Sequence, residues 1–95
     1  MENEKATEAY LRERVKALGG RAYKFVSPGN GGVPDRLVTL PGGVLFFAEI
    51  KGEKGRVTPL QQAQINFLQT KGQKVFVLRS KAGVDAAIRS CFYAV

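Results

Sequence analysis

An apolar strand that ends on two charged residues most constrains how this chain can fold. Residues 44–48 read Val-Leu-Phe-Phe-Ala, and the run continues as Glu49-Ile50-Lys51. Because residues two apart in a β-strand point to the same face, Glu49 and Lys51 project together. The opposite face carries Val44, Phe46, Ala48 and Ile50. Charged groups are seldom placed on so apolar a strand unless they are paired or hold a metal.

An aspartate lies directly before the preceding strand, residues 36–40. Asp35 follows Pro34, which stiffens the approach, and the turn Pro41-Gly42-Gly43 joins strand 36–40 to strand 44–51. If these strands form a hairpin, Asp35 lies beside Glu49, and two carboxylates and one lysine meet at a candidate divalent-metal site. The alternative is a surface ion pair of Glu49 with Lys51. A strand with one face in water would alternate polar and apolar residues, whereas residues 44–48 are all apolar.

Composition and charge restrict the classes of function. The 95 residues are enough for one domain with a modest core. A net charge of +7 favours a polyanionic partner, nucleic acid before an anionic membrane surface. No apolar stretch reaches transmembrane length, residues 1–4 are unlike a signal peptide, and the single Cys91 suits a reducing cytosol. With no histidine, a metal here needs oxygen ligands, which indicates Mg²⁺ or Mn²⁺.

The pattern of apolar residues and turn formers predicts one α/β domain over residues 1–95. The expected elements are a helix over 4–18, strands at 21–26, 36–40, 44–51 and 74–78, a helix from Thr58-Pro59 to Gly72, and a short helix over 80–90. Because a helix lies between the last two strands, we expect them to be parallel, with the final strand central and fully buried. The order helix–three strands–helix–strand predicts a central mixed sheet flanked by helices.

Two polar residues lie on the inward stripes of the predicted helices. Gln61 shares a stripe with Ile65 and Leu68, and a buried glutamine must be hydrogen-bonded. It therefore either caps a backbone group or serves the site. Glu8 continues the inward stripe of the first helix three residues before Leu11. An acidic residue early in a helix also suits the helix dipole, so the residues alone leave the role of Glu8 open.

Two loops are candidates for contact with DNA. Residues 27–32, Ser-Pro-Gly-Asn-Gly-Gly, form either a flexible connector or a wall of the DNA entrance. The second loop, residues 52–56, is mostly basic and leads away from the proposed site. The residues that we assign to DNA binding are Gly31, Gly32, Arg36, Lys54 and Arg56.

The order of these motifs resembles the VRR-NUC family, the virus-type replication-repair nuclease module of the PD-(D/E)xK nuclease superfamily. The resemblance extends from the glutamate of the first helix to the strand at 75–78. Its motifs are G-V-P-D-R-L-V, P-G-G, F-F-A-E-I-K-G, T-P-L-Q-Q and G-x-x-V-x-V-L. The strings P-D and E-x-K alone arise by chance, but in this order, with the glutamine helix behind them, they form a specific pattern.

The resemblance implies a small restriction-endonuclease-like core and an endodeoxyribonuclease that depends on Mg²⁺ or Mn²⁺. The residues that it assigns to catalysis are Asp35, Glu49, Lys51 and Gln61. Those that it assigns to metal are Glu8, Asp35, Glu49 and the carbonyl of Ile50. Lys51 would orient the attacking water, help to lower its pKa, or stabilise charge on the phosphate. The resemblance thus favours a role in the site for both Gln61 and Glu8.

The expected substrate is branched DNA. Relatives without extra domains look like Holliday-junction resolvases, and those inside larger repair proteins look like flap endonucleases. Resolving a junction needs two nicks and each chain supplies one site, so we expect a homodimer, with the apolar tail 91–95 as a candidate contact. The alternatives are flap or nonspecific cleavage, a DNA-binding module that does not cut, and a small structural or anti-host protein. We expect a phage-encoded protein in the cytoplasm of a bacterial host.

Overall fold

A four-stranded mixed sheet organises the chain. The structure is a computed structural model that describes residues 3–92. In chain order its elements are α1 (Glu4–Ala17), β1 (Arg21–Lys24), β2 (Arg36–Leu40), β3 (Val44–Ile50), α2 (Pro59–Thr70), β4 (Val75–Leu78) and α3 (Lys81–Phe92). The sheet order is β1-β2-β3-β4, antiparallel except for the parallel pair β3/β4. The predicted α/β fold and the predicted parallel pairing are both confirmed.

One face of the sheet carries the hydrophobic core. Its buried side chains come from the sheet and from α1 and α3: Leu11, Val15, Val38, Leu40, Phe46, Ala48, Ile50, Leu78, Val84, Ala87 and Ile88. Removing apolar surface from water is the main stabilising term, about 25 cal/mol per Å². Phe46 also meets Phe76 edge to face, with ring centroids 5.3 Å apart. As the alternation of β3 predicts, Glu49 projects from the other face.

The second face of the sheet is covered less completely, by α2. Ile65 of α2 is buried there, whereas Leu60 and Phe67 are 57% and 58% exposed. Phe25, in the segment after β1, packs on Phe47 with ring centroids 5.6 Å apart. This face therefore combines a partial apolar lining with access from solvent.

The prediction that the fourth strand is central and fully buried was wrong. β4 lies at the edge of the sheet, and only Leu78 of its residues is buried. Phe76 belongs to the core side, but Val77 pairs in register with Glu49 and is 37% exposed. One face of β4 packs against the core, which accounts for its apolar residues. The other face is only partly covered by α2, which leaves Val77 partly exposed.

The remaining differences are at element ends. β1 ends at Lys24, although Phe25 N still donates a hydrogen bond to Asp35 O at 2.8 Å. α3 covers 81–92 instead of the predicted 80–90. The apolar tail is described only as far as Phe92, so its last residues, 93–95, lie outside the described structure. Within residues 3–92, no helix has both the length and the apolar composition needed to cross a bilayer.

Candidate active site

The β2–β3 hairpin brings the two predicted carboxylates together. Arg36 faces Ala48 in the register of the hairpin, which places Asp35 beside the end of β3. Ile50 N donates a hydrogen bond to Asp35 Oδ2 at 2.8 Å. This bond holds the carboxylate of Asp35 next to that of Glu49, as the hairpin pattern predicts.

Glu49 is a buried acid with one oxygen satisfied and one not. Glu49 as a whole is 1% exposed to solvent. Gln61 Nε2 donates to Glu49 Oε2 at 3.0 Å, and Lys51 Nζ lies 3.6 Å from the same oxygen. Within the described residues, Oε1 is buried and has no hydrogen-bond partner. An unsatisfied buried acceptor is costly, so this oxygen is suited to an additional ligand.

The electrostatics of Glu49 reflect this environment. Burial, and then the negative charge of Asp35, raise the pKa of Glu49 from 4.5 to about 7. The charge and hydrogen bond of Lys51 and the backbone amide of Asp35 act in the opposite direction. The raised pKa means that ionising Glu49 beside the negative charge of Asp35 costs free energy. A bound cation would reduce that cost.

The donor set fits a hard divalent cation. Asp35 and Glu49 present neighbouring carboxylates, which are the ligands that Mg²⁺ and Mn²⁺ prefer. A cation beside Glu49 Oε1 would satisfy the oxygen that protein groups leave without a hydrogen bond. The backbone carbonyl of Ile50 follows directly in the chain and stays a predicted third ligand.

Glu8 lies in a separate ion pair. Arg36 donates from Nε to Glu8 Oε2 at 3.2 Å, with Nη2 at the same distance from that oxygen, and Nη1 donates to Ala22 O at 3.1 Å. Arg36 projects toward α1, since it lies opposite Ala48 of the core. Across residues 3–92, no three Asp, Glu or Cys side chains come close enough to hold one metal. The metal role of Glu8 and the DNA role of Arg36 stay predictions.

Gln61 caps a backbone group and also donates a hydrogen bond to Glu49, so the two contacts that the sequence offered as alternatives occur together. Thr58 Oγ1 accepts from Gln61 N at 3.1 Å, and Thr58 N donates to Gln61 Oε1 at 2.9 Å. This reciprocal pair is a capping box at the start of α2. The amide nitrogen of the same side chain remains available, and it donates to Glu49. The start of α2 is thereby joined to the buried carboxylate.

The glycine-rich loop packs against α2. Gln64 Nε2 donates to Gly31 O at 3.2 Å. Gly32 has φ +83°, and a Cβ there would lie 2.9 Å from the backbone of Leu60. Both observations assign Gly31 and Gly32 to the packing of the loop on α2. Their predicted contact with DNA stays a prediction.

The basic loop after β3 is held by an arginine that the sequence did not single out. Arg79 Nη1 donates to the carbonyls of Gly52 and Gly55, at 3.1 Å in the first case. Lys54 and Arg56 are exposed in this loop. Arg79 follows directly after β4, which lies beside β3, and only this sheet order could have indicated the contact.

Comparisons with known proteins agree with this fold. Residues 2–82 match the family model described as VRR-NUC domain. A solved structure described as a VRR_NUC domain has a TM-score of 0.83 and 38% identity, covering 90% of this chain and 94% of that chain. "Putative nuclease p44" of Acyrthosiphon pisum secondary endosymbiont phage 1 is 46% identical over 78 residues, 82% of this chain and 84% of that protein.

The fold, the carboxylate pair and the matches define a nuclease-type domain. The chain belongs to the VRR-NUC family, which confirms the resemblance in its order of motifs.

Proposed function

We propose that this chain is an endonuclease that depends on a divalent metal and hydrolyses phosphodiester bonds in branched DNA. The observation that carries the proposal is the cluster of Asp35, Glu49 and Lys51, in which a buried carboxylate oxygen lacks a hydrogen bond. Membership of a nuclease family and the name of the phage relative support the nuclease part.

Each residue of the cluster has a defined task in this proposal. Asp35 and Glu49 would hold Mg²⁺ or Mn²⁺, and the carbonyl of Ile50 would supply a third ligand. When bound, the ion supplies Lewis-acid stabilisation of the negative charge on the phosphate. Lys51, 3.6 Å from Glu49, orients the attacking water and adds positive charge beside the phosphate. Gln61 fixes one oxygen of Glu49 and leaves the other for the cation.

Branched DNA is the proposed substrate because the domain offers little to read bases. The described helices and strands all belong to one sheet and its covering layers, so contact with DNA shape and backbone is favoured over base readout. The net charge of +7 suits such contact. A four-way junction needs two nicks, and a homodimer would supply two sites. Cleavage of flaps is the second candidate.

The test compares cleavage of labelled four-way junctions, flaps and plain duplex, with Mg²⁺ and with EDTA. Asp35→Asn should lower the cleavage rate on the order of 10²-fold or more because it removes a carboxylate ligand of the metal, and Lys51→Ala should do so because it removes positive charge beside the reacting phosphate. Glu53→Gln, an exposed change in the neighbouring loop, is the matched control and should cut normally. Cleavage that persists in EDTA, or a fully active Asp35→Asn protein, would contradict the proposal. Binding without cleavage under all conditions would favour a DNA-binding module.

A further inference from the structure

The sheet face that carries the carboxylate cluster stays partly open beside β1. Residues that lie opposite each other in neighbouring antiparallel strands share a face. The register places three rows of side chains on this face: Phe25, Asp35 and Glu49, then Tyr23, Leu37 and Phe47, then Arg21, Thr39 and Leu45. On the same face α2 contacts β4, at the edge of the sheet opposite β1. The side chains of β1 are therefore the more accessible part of this face.

Tyr23 presents an aromatic ring on the open part of the face. The residue is 49% exposed, whereas the other aromatic side chains of the three rows, Phe25 and Phe47, pack on each other. The guanidinium carbon of Arg21 lies over the Tyr23 ring, 5.5 Å from its centroid. Within residues 3–92, the ring makes no other aromatic or cation contact. Much of its surface is thus free for a ligand.

The register also sets the distance between Tyr23 and the carboxylates. Tyr23 lies opposite Leu37, two residues along β2 from Asp35, which is about 7 Å at about 3.4 Å per residue. Because neighbouring strands are about 4.8 Å apart, the Cα atoms of Tyr23 and Asp35 are separated by about 8 Å. A stacked DNA strand advances about 3.4 Å per nucleotide. A nucleotide at Tyr23 therefore lies within about three nucleotides of a phosphate at Asp35.

The charge of this face indicates the class of ligand. Apart from Asp35 and Glu49, the three rows carry one charged side chain, the positive Arg21, and Lys51 follows the carboxylate row on the same face. An exposed aromatic ring beside basic side chains is the pattern with which proteins bind single-stranded nucleic acid. A second copy of the chain would bring its own net charge of +7, whereas the DNA backbone has the complementary charge. DNA is the favoured occupant.

We propose that Tyr23 stacks on an unpaired base of the DNA within about three nucleotides of the cleaved bond. Inside a duplex each base is stacked between its neighbours, and exposing its face costs unstacking energy. A branch point or a single-stranded arm offers unpaired bases without that cost. The inference rests on the proposed function in taking branched DNA as the substrate. It adds a protein contact that distinguishes such DNA from plain duplex.

The first experiment measures binding in EDTA, where no cleavage is required. Wild type and variants are titrated with a labelled DNA fork that has single-stranded arms and with plain duplex. Tyr23→Ala should bind the fork about 5- to 150-fold more weakly, the loss expected for one stacked base. Tyr23→Phe keeps the ring and should bind the fork like wild type. Leu45→Ala, which removes another exposed apolar side chain of the same face, is the matched control and should also bind like wild type.

Plain duplex makes the result specific to unpaired bases. Its affinity should be the same for wild type and Tyr23→Ala, because it offers no free base face. An equal loss of affinity for fork and duplex would overturn the proposal, as would a Tyr23→Ala protein that binds the fork normally.

The second experiment identifies the base. Single abasic nucleotides, which leave nothing to stack, are placed one at a time on both sides of the cleaved bond, or of the branch point if no bond is cleaved. In the wild-type protein, an abasic nucleotide at an unpaired position within about three nucleotides should weaken binding. In Tyr23→Ala, the same abasic nucleotide should have no further effect. Identical abasic profiles for the two proteins would refute the assignment.

Other causes of weak binding give different results. Circular dichroism checks the fold of each variant, and Tyr23→Leu keeps an apolar side chain on β1 without the aromatic ring. It should bind the fork as weakly as Tyr23→Ala, and normal binding would contradict stacking. If the ring instead contacts a second copy of the chain, Tyr23→Ala lowers the sedimenting mass of the free protein and leaves the abasic profile unchanged, which also contradicts the proposal. If no protein cleaves DNA, the proposed function fails, while binding in EDTA still tests the stacking.

Discussion

Replacing Glu49 by glutamine tests the electrostatics of the site without any catalytic measurement. In the folded protein, burial and the charge of Asp35 raise the pKa of Glu49 from 4.5 to about 7. The folded state therefore holds this proton more tightly than the unfolded chain does. The resulting contribution to the free energy of unfolding is fully present below pH 4.5 and is lost as the pH rises through 7. At about 1.4 kcal/mol per pKa unit, the loss is about 3 kcal/mol.

Glu49→Gln should remove this pH dependence. A glutamine has nearly the same shape and can still accept the hydrogen bond from Gln61, but it does not titrate. In metal-free buffer, the variant should be the more stable protein at pH 8. Its advantage over wild type should shrink by about 3 kcal/mol as the pH falls to 4.5. Urea unfolding followed by far-ultraviolet circular dichroism measures this, because the chain has no tryptophan.

The control is Glu53→Gln, which removes an exposed acid from the loop after β3. Its stability relative to wild type should not follow the pH course expected for Glu49→Gln. Adding Mg²⁺ at pH 8 should stabilise the wild type more than Glu49→Gln, since a ligand of the folded state raises the free energy of unfolding. A difference between Glu49→Gln and wild type that is constant over this pH range would refute the reasoning, as would a less stable variant at pH 8 without metal.

Three further predictions concern catalysis and assembly. Gln61→Glu should retain the capping box, since glutamate suits that position, but it should lose cleavage because a carboxylate then faces Glu49; Gln61→Ala should also lose about 1 kcal/mol of stability. Melting and cleavage assays in parallel separate these effects, and normal cleavage by Gln61→Glu would contradict the assignment. Glu8→Gln should reduce cleavage without abolishing it, and unchanged rates over a Mg²⁺ titration would exclude Glu8 from the metal shell. The free protein should sediment as a homodimer at micromolar concentration, whereas a monomer that stays monomeric on junction DNA would favour the flap-endonuclease candidate.

The sheet and the carboxylate pair could be predicted because they depend on local rules. The turn at residues 41–43 determines which strands pair, and the two-residue period of β3 places Glu49 and Lys51 on one face. The edge position of β4 could not be predicted in this way. An apolar strand with only one covered face has the same composition as a strand buried on both faces, and the difference depends on how much of the sheet α2 covers.

The pairing of Arg36 with Glu8 depends on the same alternation that groups Glu49 with Lys51. Arg36 follows Asp35 in the chain, and the sequence analysis assigned it to DNA binding. Adjacent residues in a strand point to opposite faces, so the guanidinium of Arg36 extends toward α1 and away from the carboxylate cluster. The alternation was visible in the sequence, but the partner was not, because Glu8 is brought to Arg36 only by the packing of α1 on the sheet.

Gln61 illustrates why a choice between two roles could not be made from the sequence. A side-chain amide has an acceptor oxygen and a donor nitrogen, and in this fold Oε1 accepts from Thr58 N while Nε2 donates to Glu49 Oε2. The two roles do not compete, because they use different atoms. They are instead coupled, since the rotamer that caps α2 also directs the amide nitrogen at the buried carboxylate. The position of that carboxylate therefore depends in part on the start of a helix that follows it in the chain.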